Sequence, residues 1–494
     1  MMQRDEQVLF GDLKRSGYHV WMNGRNDLFP AQNPKSYVGY ADEVAGVTIP
    51  RKPVSKREYR DITGENSGTG KAEKTGPGIF DLLRIMGGGK RPTPDQLESG
   101  EFYSFFAGKV QDTSTGLGGL FNDRLSVDRA IDYLERHGGS GGSQPFCCFI
   151  GLGAPHPPYR APEPYFSAIE RDALPPRIPA TEKVEGEPAI MKGIRQGQHC
   201  EGWTERQWNE LRATYLAMVM QVDDLFGRIV TTLKEQGLYE DTAIFILSDH
   251  GDYTGDYGIV EKNQNTFQDC LTNVPLIVKP PSGFPCKPGI RENALVELID
   301  FYATCAEYAG FTPRWDQFGR SLQPCIAGDT DIHREAVYCE GGRRMGETQA
   351  SELESNPTLD PANQYYPRLR LQASEDGEHG KATMCRTDRY KYVLRIYEKD
   401  ELYDLESDPQ ELRNRIDDPE LGPVAEELRY RLLKWYQETC DVVPKETDSR
   451  FGPFEIEKLL MPSIRRRIPL PLRWLPTSKL LTLLVKRRKK GTDS

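Results

Sequence analysis

Residues 204–237 carry the strongest periodic signal in the chain: Leu211, Tyr215, Met218, Val222, Leu225, Ile229 and Leu233 recur at steps of three or four. That is the repeat of one face of an α-helix, and Thr204 stands where an N-cap is needed. A helix this long with a single apolar stripe must lay it against something. Directly after it, residues 242–247 form a continuous apolar run, Ala-Ile-Phe-Ile-Leu after Thr242. A strand that is apolar at every position is buried on both faces, as in a parallel sheet covered by helices. A helix, a short turn and a buried strand favour a right-handed strand-helix-strand crossover.

The rest of the first 310 residues repeats this alternation. Leu9, Phe10 and Leu13 share a helical face, Gly17 suits a helix stop, and Tyr18, Val20 and Met22 alternate as in a strand, with a loop expected at Gly24. Residues 125–136 read as an amphipathic helix, and PFCCFIGLGAPH reads as a buried strand whose following loop holds His156. VPLIVKPP from Val274 is a further strand, and residues 294–310 fit a helix ending at Gly310. The fold class this implies is α/β, a doubly wound and mostly parallel sheet. Beyond residue 310 the rhythm changes to short antiparallel strands in EAVYCEGG, KATMCRTDRYKYVLRIY and DELYDLESDPQELRN, then a helix over 423–440. The expected organisation is an α/β domain over 1–310, a smaller α+β domain over 311–440 and a basic, Pro-interrupted tail over 441–494. With 494 residues, two domains are what chain length alone suggests.

Composition narrows the function classes. A net charge of −10 gives no general attraction for nucleic acid or an anionic surface, so any anion site must be local. Ten cysteines form no C-x-x-C pair and are too sparse for a disulfide scaffold. The N-terminal stretch has no basic start followed by an apolar run, and no segment reaches the length of a membrane span, so a cytoplasmic location is the expectation. The tail, with RRRIPLPLRWLP and KLLTLLVKRRKK, could meet a membrane surface, but its prolines interrupt a long amphipathic helix and no firm membrane partner is expected. GENSGTGK lacks the full phosphate-loop spacing and follows no strand, so it reads as a loop within a Gly- and Pro-rich insertion over 30–119.

The chemistry concentrates after the apolar strand. In AIFILSDHGDYTGDYGIVEK, Asp249 and His250 stand at the carboxyl end of that strand, where open α/β sheets form their ligand crevice. An adjacent carboxylate and imidazole suit a divalent ion of intermediate character. Lys262 can bring a positive charge to the same pocket.

These segments resemble the sulfatase family of the alkaline phosphatase superfamily, over residues 13–433. In that family a strand ending in Ser-Asp-His-Gly or Ser-Asp-Asn-Gly supplies two metal ligands, and a later lysine contacts the sulfate. The resemblance thus implies metal ligation by Asp249 and His250 and sulfate contact by Lys262. The Pro155–His156 pair in LGAPHPPYRAPEPYF is similar to a family pair whose histidine touches the ester, which gives His156 that role. LKRSGYHVWMNGRNDL resembles a segment in which a lysine and a histidine face the sulfate; here Arg25 and Asp27 occupy those places. Arginine keeps the charge and can grip an oxyanion bidentately. A carboxylate at Asp27 repels sulfate unless it is protonated, metal-bound or paired with Arg25 or a cationic substrate.

The resemblance implies hydrolysis of a small-molecule sulfate monoester, with Arg25, His156 and Lys262 as the catalytic and, with Asp27, the substrate-binding residues. The implied cofactors are a divalent metal (manganese or calcium, or magnesium) and a formylglycine nucleophile. That nucleophile comes from a Cys/Ser-x-Pro-x-Arg pattern, preceded by a strand ending in paired aspartates, and neither feature occurs here. Cys286 has Pro288 without the arginine, and Cys339 has Arg343 without the proline. The expectation is a chain that starts after the nucleophile segment and leaves an open groove where a central strand belongs. His250 in place of asparagine keeps phosphonate monoester or phosphodiester hydrolysis open as an alternative, alongside a non-catalytic relative of the sulfatases.

Overall fold

A computed structural model describes residues 8–23, 39–44, 47–48, 93–95, 108–110, 123–139, 144–179, 186–292, 294–347, 365–374 and 377–441. In chain order the main elements are α1 (Leu9–Arg15), β1 (His19–Met22), β2 (Glu43–Val44), β3 (Val47–Thr48), β4 (Gly108–Val110) and α2 (Asp123–Gly139). Then come β5 (Phe146–Phe149), β6 (Arg160–Pro162), α3 (Ala189–Gln198), α4 (Glu205–Glu235), β7 (Ile244–Leu247), β8 (Leu276–Lys279) and α5 (Ile299–Ala309). The chain continues through β9 (Val337–Gly341), α6 (Tyr366–Ser374), β10 (Ala382–Arg386), β11 (Tyr390–Arg395), β12 (Glu401–Asp404) and α7 (Gly422–Thr439). The described residues between 8 and 313 and between 317 and 441 belong to one compact unit. The expected loop at Gly24, the segment GENSGTGK and the basic tail lie outside the described residues. No helix among the described residues is long and apolar enough to cross a membrane.

The long periodic segment is helix α4, and Thr204 caps it through a full capping box: the Gln207 N–H donates to Thr204 Oγ1, and the Thr204 N–H donates to Gln207 Oε1. β1 pairs in parallel with both β2 and β5, His19 standing opposite Phe146 and Met22 opposite Phe149. The period of two sorts their side chains to opposite faces. Trp21, Phe146 and Cys148, joined by Ile244 of β7, pack on Ala130, Tyr133 and Leu134 of α2 and Ile229 and Leu233 of α4. Val20, Met22, Cys147 and Phe149 face the other way, onto Phe10 and Leu13 of α1 and Ala309 at the end of α5. Phe245 of β7 meets Phe301 of α5 edge-on at 4.8 Å, so α5 serves both strands. Helices thus cover both faces, as a doubly wound sheet requires.

Two features depart from the simplest reading of the sequence. β8 runs antiparallel to β7, Ile244 opposite Lys279 and Leu247 opposite Leu276. The connection from β7 to β8 contains only the four-residue helix Asp269–Thr272 and one 3₁₀ turn, too little for a parallel crossover, so the chain returns as an extended loop. The second feature is that β5 and β7 share helices on both sides but, among the described residues, no hydrogen-bonded ladder joins them. Leu247, the last residue of β7, is 39% exposed.

The C-terminal strands make an antiparallel sheet in the order β12-β11-β10-β9. Cys385, Tyr392 and Leu402 on one face pack on Ala425, Leu428 and Leu432 of α7. The other face, with Ala382, Met384 and Val393, packs on Phe267 from the loop between β7 and β8. The same loop is held by polar contacts: Arg395 Nη2 donates to the Asn265 carbonyl at 3.0 Å and Lys391 Nζ to the Phe267 carbonyl at 2.7 Å. The antiparallel sheet therefore serves as a platform for the loop that carries the candidate chemistry.

Candidate active site

Two loops at the carboxyl ends of β5 and β7 carry the residues singled out from the sequence. The first is pinned at its start. Asp123, at the head of α2, accepts the N–H groups of Gly153 and Ala154 at 2.7 Å each, and Asn23 exchanges two hydrogen bonds with Gly151. His156 follows, its N–H donating to the Gly153 carbonyl at 2.9 Å. Its Nδ1 lies 2.6 Å from the Pro157 carbonyl oxygen, which can only accept, so the proton sits on Nδ1. Nε2 is then the acceptor. Lys262 Nζ donates to it at 2.9 Å and the Tyr365 hydroxyl at 3.2 Å. Two residues 106 positions apart in the chain, both named from the sequence, thus meet directly.

Asp249 and His250 follow β7 as expected. His250 Nδ1 donates to the Gly251 carbonyl at 2.8 Å, which leaves Nε2 with its lone pair outward, 3.6 Å from Asp249 Oδ2. The other carboxylate oxygen of Asp249 accepts the His250 N–H at 3.0 Å. With metal–ligand bonds of about 2.1 to 2.4 Å, a separation of 3.6 Å subtends roughly 100° to 120° at a shared ion. The pair therefore fits two ligands of one divalent metal, with the backbone contact at Nδ1 fixing the tautomer that ligation needs. Among the described residues no group of three or more His, Cys, Asp or Glu completes a metal shell.

The loop between the two pairs bends sharply. A Cβ on Gly251 would stand 1.9 Å from the Cys270 carbonyl oxygen, so only glycine lets the chain pass there. Tyr159 donates to the buried Asp252 at 2.8 Å, tying the His156 loop to the residues that follow His250. Burial pushes the Asp252 carboxyl up to about 6. Glu261 beside Lys262 is buried too, with φ +72°. Burial alone would raise its carboxyl, but the charges of Lys262 and Arg368 outweigh it and hold Glu261 below the usual range.

Helix α6 adds two residues that sequence reading did not single out. Arg368 is 5% exposed; it lies 3.5 Å from Glu261 and donates to the Lys262 carbonyl at 3.0 Å. The Tyr365 ring, just before the helix, meets His156 edge-on at 6.4 Å, with Arg368 4.8 Å from its centroid and Lys262 5.8 Å. The only sequence signal for either is the motif YYPRLRL, whose basic and aromatic residues stand side by side without a period. Arg25 and Asp27 lie outside the described residues.

A helix-flanked, mostly parallel sheet with charged side chains on the loops at its strand ends defines an α/β class of protein. The family model for sulfatases matches residues 2–311, more than half of the chain, and the chain belongs to the sulfatase family. The multifunctional alkaline phosphatase superfamily protein PehA of Trinickia caryophylli is 29% identical over 332 residues, 63% of this chain and 58% of the relative. Arylsulfatase K of Bos taurus is 24% identical over 310 residues, 59% of this chain and 51% of the relative. Choline-sulfatase of Rhizobium meliloti (strain 1021) is 24% identical over 380 residues, 72% of this chain and 65% of the relative. The chain spans between half and two thirds of the length of these relatives. Among solved structures, the phosphonate monoester hydrolase SpPMH from Silicibacter pomeroyi aligns with a TM-score of 0.58 at 20% identity, covering 88% of this chain and 81% of that one. A phosphonate monoester hydrolase of Agrobacterium radiobacter also gives 0.58, at 18% identity over 90% and 84%. At such identities the likeness establishes the shared fold alone.

Proposed function

We propose that this protein is a metal-dependent hydrolase of small-molecule sulfate monoesters. The observation that carries the reading is the direct contact between His156 Nε2 and Lys262 Nζ at 2.9 Å, which puts an imidazole and an ammonium side by side at the strand ends. Lys262 supplies a fixed positive charge where ester oxygens gain negative charge in the transition state. His156, its tautomer set by Pro157, touches the ester group and can take up or return a proton at Nε2. The family resemblance would add Arg25 as a further cation for the ester, with Asp27 paired to Arg25 or to a cationic part of the substrate. Asp249 and His250 would hold a divalent metal, manganese or calcium, or magnesium, which would supply Lewis-acid polarisation of the ester oxygens. The family uses a divalent metal and a formylglycine; no Cys or Ser in residues 1–494 stands in the Cys/Ser-x-Pro-x-Arg pattern, and no nucleophile is assigned among them.

A second reading is hydrolysis of phosphonate monoesters or phosphodiesters. It is favoured by His250 as the second metal ligand and by the phosphonate monoester hydrolases among the structural neighbours. Both readings are tested with the purified chain in manganese or calcium against an aryl sulfate and an aryl phosphonate ester. The reading expects turnover of the sulfate that Asp249→Ala and Lys262→Met each reduce by at least a hundredfold. Faster turnover of the phosphonate establishes the second reading. Sulfate binding with no turnover of either ester identifies a binding protein, and neither binding nor turnover overturns the assignment of the site.

A further inference from the structure

We propose that Tyr159, acting through Asp252, is a positioning residue of this site: it sets the span between the ester-contacting His156 and the metal-ligand pair Asp249–His250, so that metal and anion bind as one unit. The inference rests on the reading of the site given above. Tyr159 stands three residues after His156 and is 1% exposed. It belongs to a core cluster with Ala161, Trp203, Trp208 and Leu211, the last two on helix α4, and its ring meets Tyr215 edge-on at 6.3 Å. A side chain packed this closely has little room to change rotamer, so its hydroxyl is a fixed point. That hydroxyl donates to Asp252 Oδ2 at 2.8 Å, and Oδ1 of the same carboxylate accepts the Thr254 N–H at 2.8 Å. The carboxylate is thereby held from both loops, by Tyr159 from the first and Thr254 from the second.

The peptide that enters Asp252 is also the one that orients His250. Its carbonyl, that of Gly251, accepts from His250 Nδ1 at 2.8 Å, and the Gly251 N–H donates to the Leu271 carbonyl at 2.8 Å. Asp249 Oδ1 accepts the His250 N–H at 3.0 Å. Asp249, His250 and Gly251 thus keep their mutual geometry through local bonds, and what Tyr159 fixes is where that piece stands relative to His156. His156 and Lys262 join the same two loops at 2.9 Å, but they are the groups that meet the ester, so their contact changes when one is bound. The Tyr159–Asp252 bond uses neither the ester-contacting nor the metal-binding groups, and it holds the span while those are engaged. One ester can meet both pairs together only if they stand at the right separation, and a displacement of about 1 Å can cost about a hundredfold.

The test measures coupling between the two ions rather than turnover. Manganese is titrated into the full-length protein by calorimetry with and without saturating sodium sulfate, at an ionic strength held constant with sodium chloride, for wild type, Tyr159→Phe and Asp252→Asn. In wild type, sulfate is expected to tighten manganese binding about tenfold, and manganese to tighten sulfate binding by the same factor. Y159F deletes the hydroxyl and keeps the ring in its core; it should lower the coupling to less than about threefold while each ion alone binds within about threefold of wild type. D252N still offers the phenol a hydrogen-bond partner and should keep the coupling near about tenfold. A purely structural role for Tyr159 would lower the melting temperature and leave the coupling where it was. Coupling retained in Y159F, or lost to the same extent in D252N, overturns the role of this bond, as does a wild type that binds both ions independently. A wild type that fails to bind manganese or sulfate overturns the site reading itself.

Discussion

Replacing Lys391 with methionine tests how the active-site loop is held. Lys391 is 1% exposed, and its ammonium lies 2.7 Å from the Phe267 carbonyl, 2.6 Å from Asp269 Oδ1 and 2.5 Å from Glu411 Oε1. Glu411 is equally buried and also accepts the Asp269 N–H at 2.8 Å. Methionine matches the volume but leaves Glu411 as an uncompensated carboxylate, and breaking a buried pair from one side costs about 3 to 5 kcal/mol. In Lys391→Met plus Glu411→Gln both charges are gone, and the loss should fall to within about 1 to 2 kcal/mol. Burial already pushes the Glu411 carboxyl up despite the Lys391 charge, and losing that charge pushes it further. For a carboxyl raised in the fold, stability is fully present below its unfolded value of about 4.3 and is lost as pH rises through the folded value. The single variant should therefore be closer to wild type at pH 5 than at pH 7.5. Urea unfolding followed by tryptophan fluorescence at both pH values measures all three proteins. A single-variant loss under about 1 kcal/mol, or a double variant no better than the single, would refute the view that this pair clamps the loop.

Three further outcomes follow from the geometry. Gly251→Ala forces a Cβ against the Cys270 carbonyl, displacing the turn after His250, and is expected to weaken manganese binding at least tenfold by calorimetry; unchanged affinity would show the turn is not what orients the ligands. Burial alone would raise Asp300, but hydrogen bonds from His333 and Arg334 and from the N–H groups of Glu297 and Arg320 hold it well below the usual carboxylate range. That stability is present above about pH 3.9 and is lost as pH falls through the folded value, so Asp300→Asn should flatten the acid limb of the stability profile while costing about 3 kcal/mol at pH 7. Burial pushes the Cys147 thiol up to about 12, although the side chain is not closed off from solvent. Its alkylation by iodoacetamide, followed by peptide mapping, should rise about tenfold per pH unit from 7 to 10, and a plateau by pH 9 would contradict the assignment.

The fold was legible where local and tertiary preferences agree. Helix α4 carries its stripe, its capping box and a buried face in one continuous segment, β1 shows the alternation of a strand, and β5 and β7 are apolar runs that only a sheet covered on both sides can use. The pairing of β7 was less legible, because an apolar strand has the same sequence whichever neighbour it takes. The direction of β8 was set by the loop before it, whose course depends on Phe267, Asp269 and Asn265 docking on β10 and β11 rather than on any propensity of VPLIVK. That no ladder joins β5 and β7 among the described residues follows the same logic. Helices α2 and α4 on one side and α5 on the other hold both strands in place through Ile244 and Phe245, so the two can remain in register with the layers without bonding to each other.

The site divides along a similar line. Asp249 and His250 were readable because a buried strand delivers its next residues to a predictable end, and their metal-ready geometry is made locally by backbone contacts to Gly251 and within the pair. His156 and Lys262 were readable only as a matched pair of motifs, since neither a histidine before two prolines nor a lysine in a loop signals chemistry alone. Tyr365 and Arg368 carried no such pattern, because what brings them to this cluster is long-range: a phenol and a guanidinium converge on one imidazole, one ammonium and one buried glutamate. Arg368 can be buried there only because Glu261 takes its charge, and Glu261, flanked by Lys262 and lying close to His156, can be buried only because Arg368 shares the load. Charge balance in this cluster is a property of three segments together. Glu261→Gln should therefore disturb Lys262 and Arg368 at once, lowering sulfate affinity and stability in parallel. Arg368→Met should be destabilising on its own but milder in combination with Glu261→Gln, and strictly additive losses in that double variant would show that the two side chains do not balance each other.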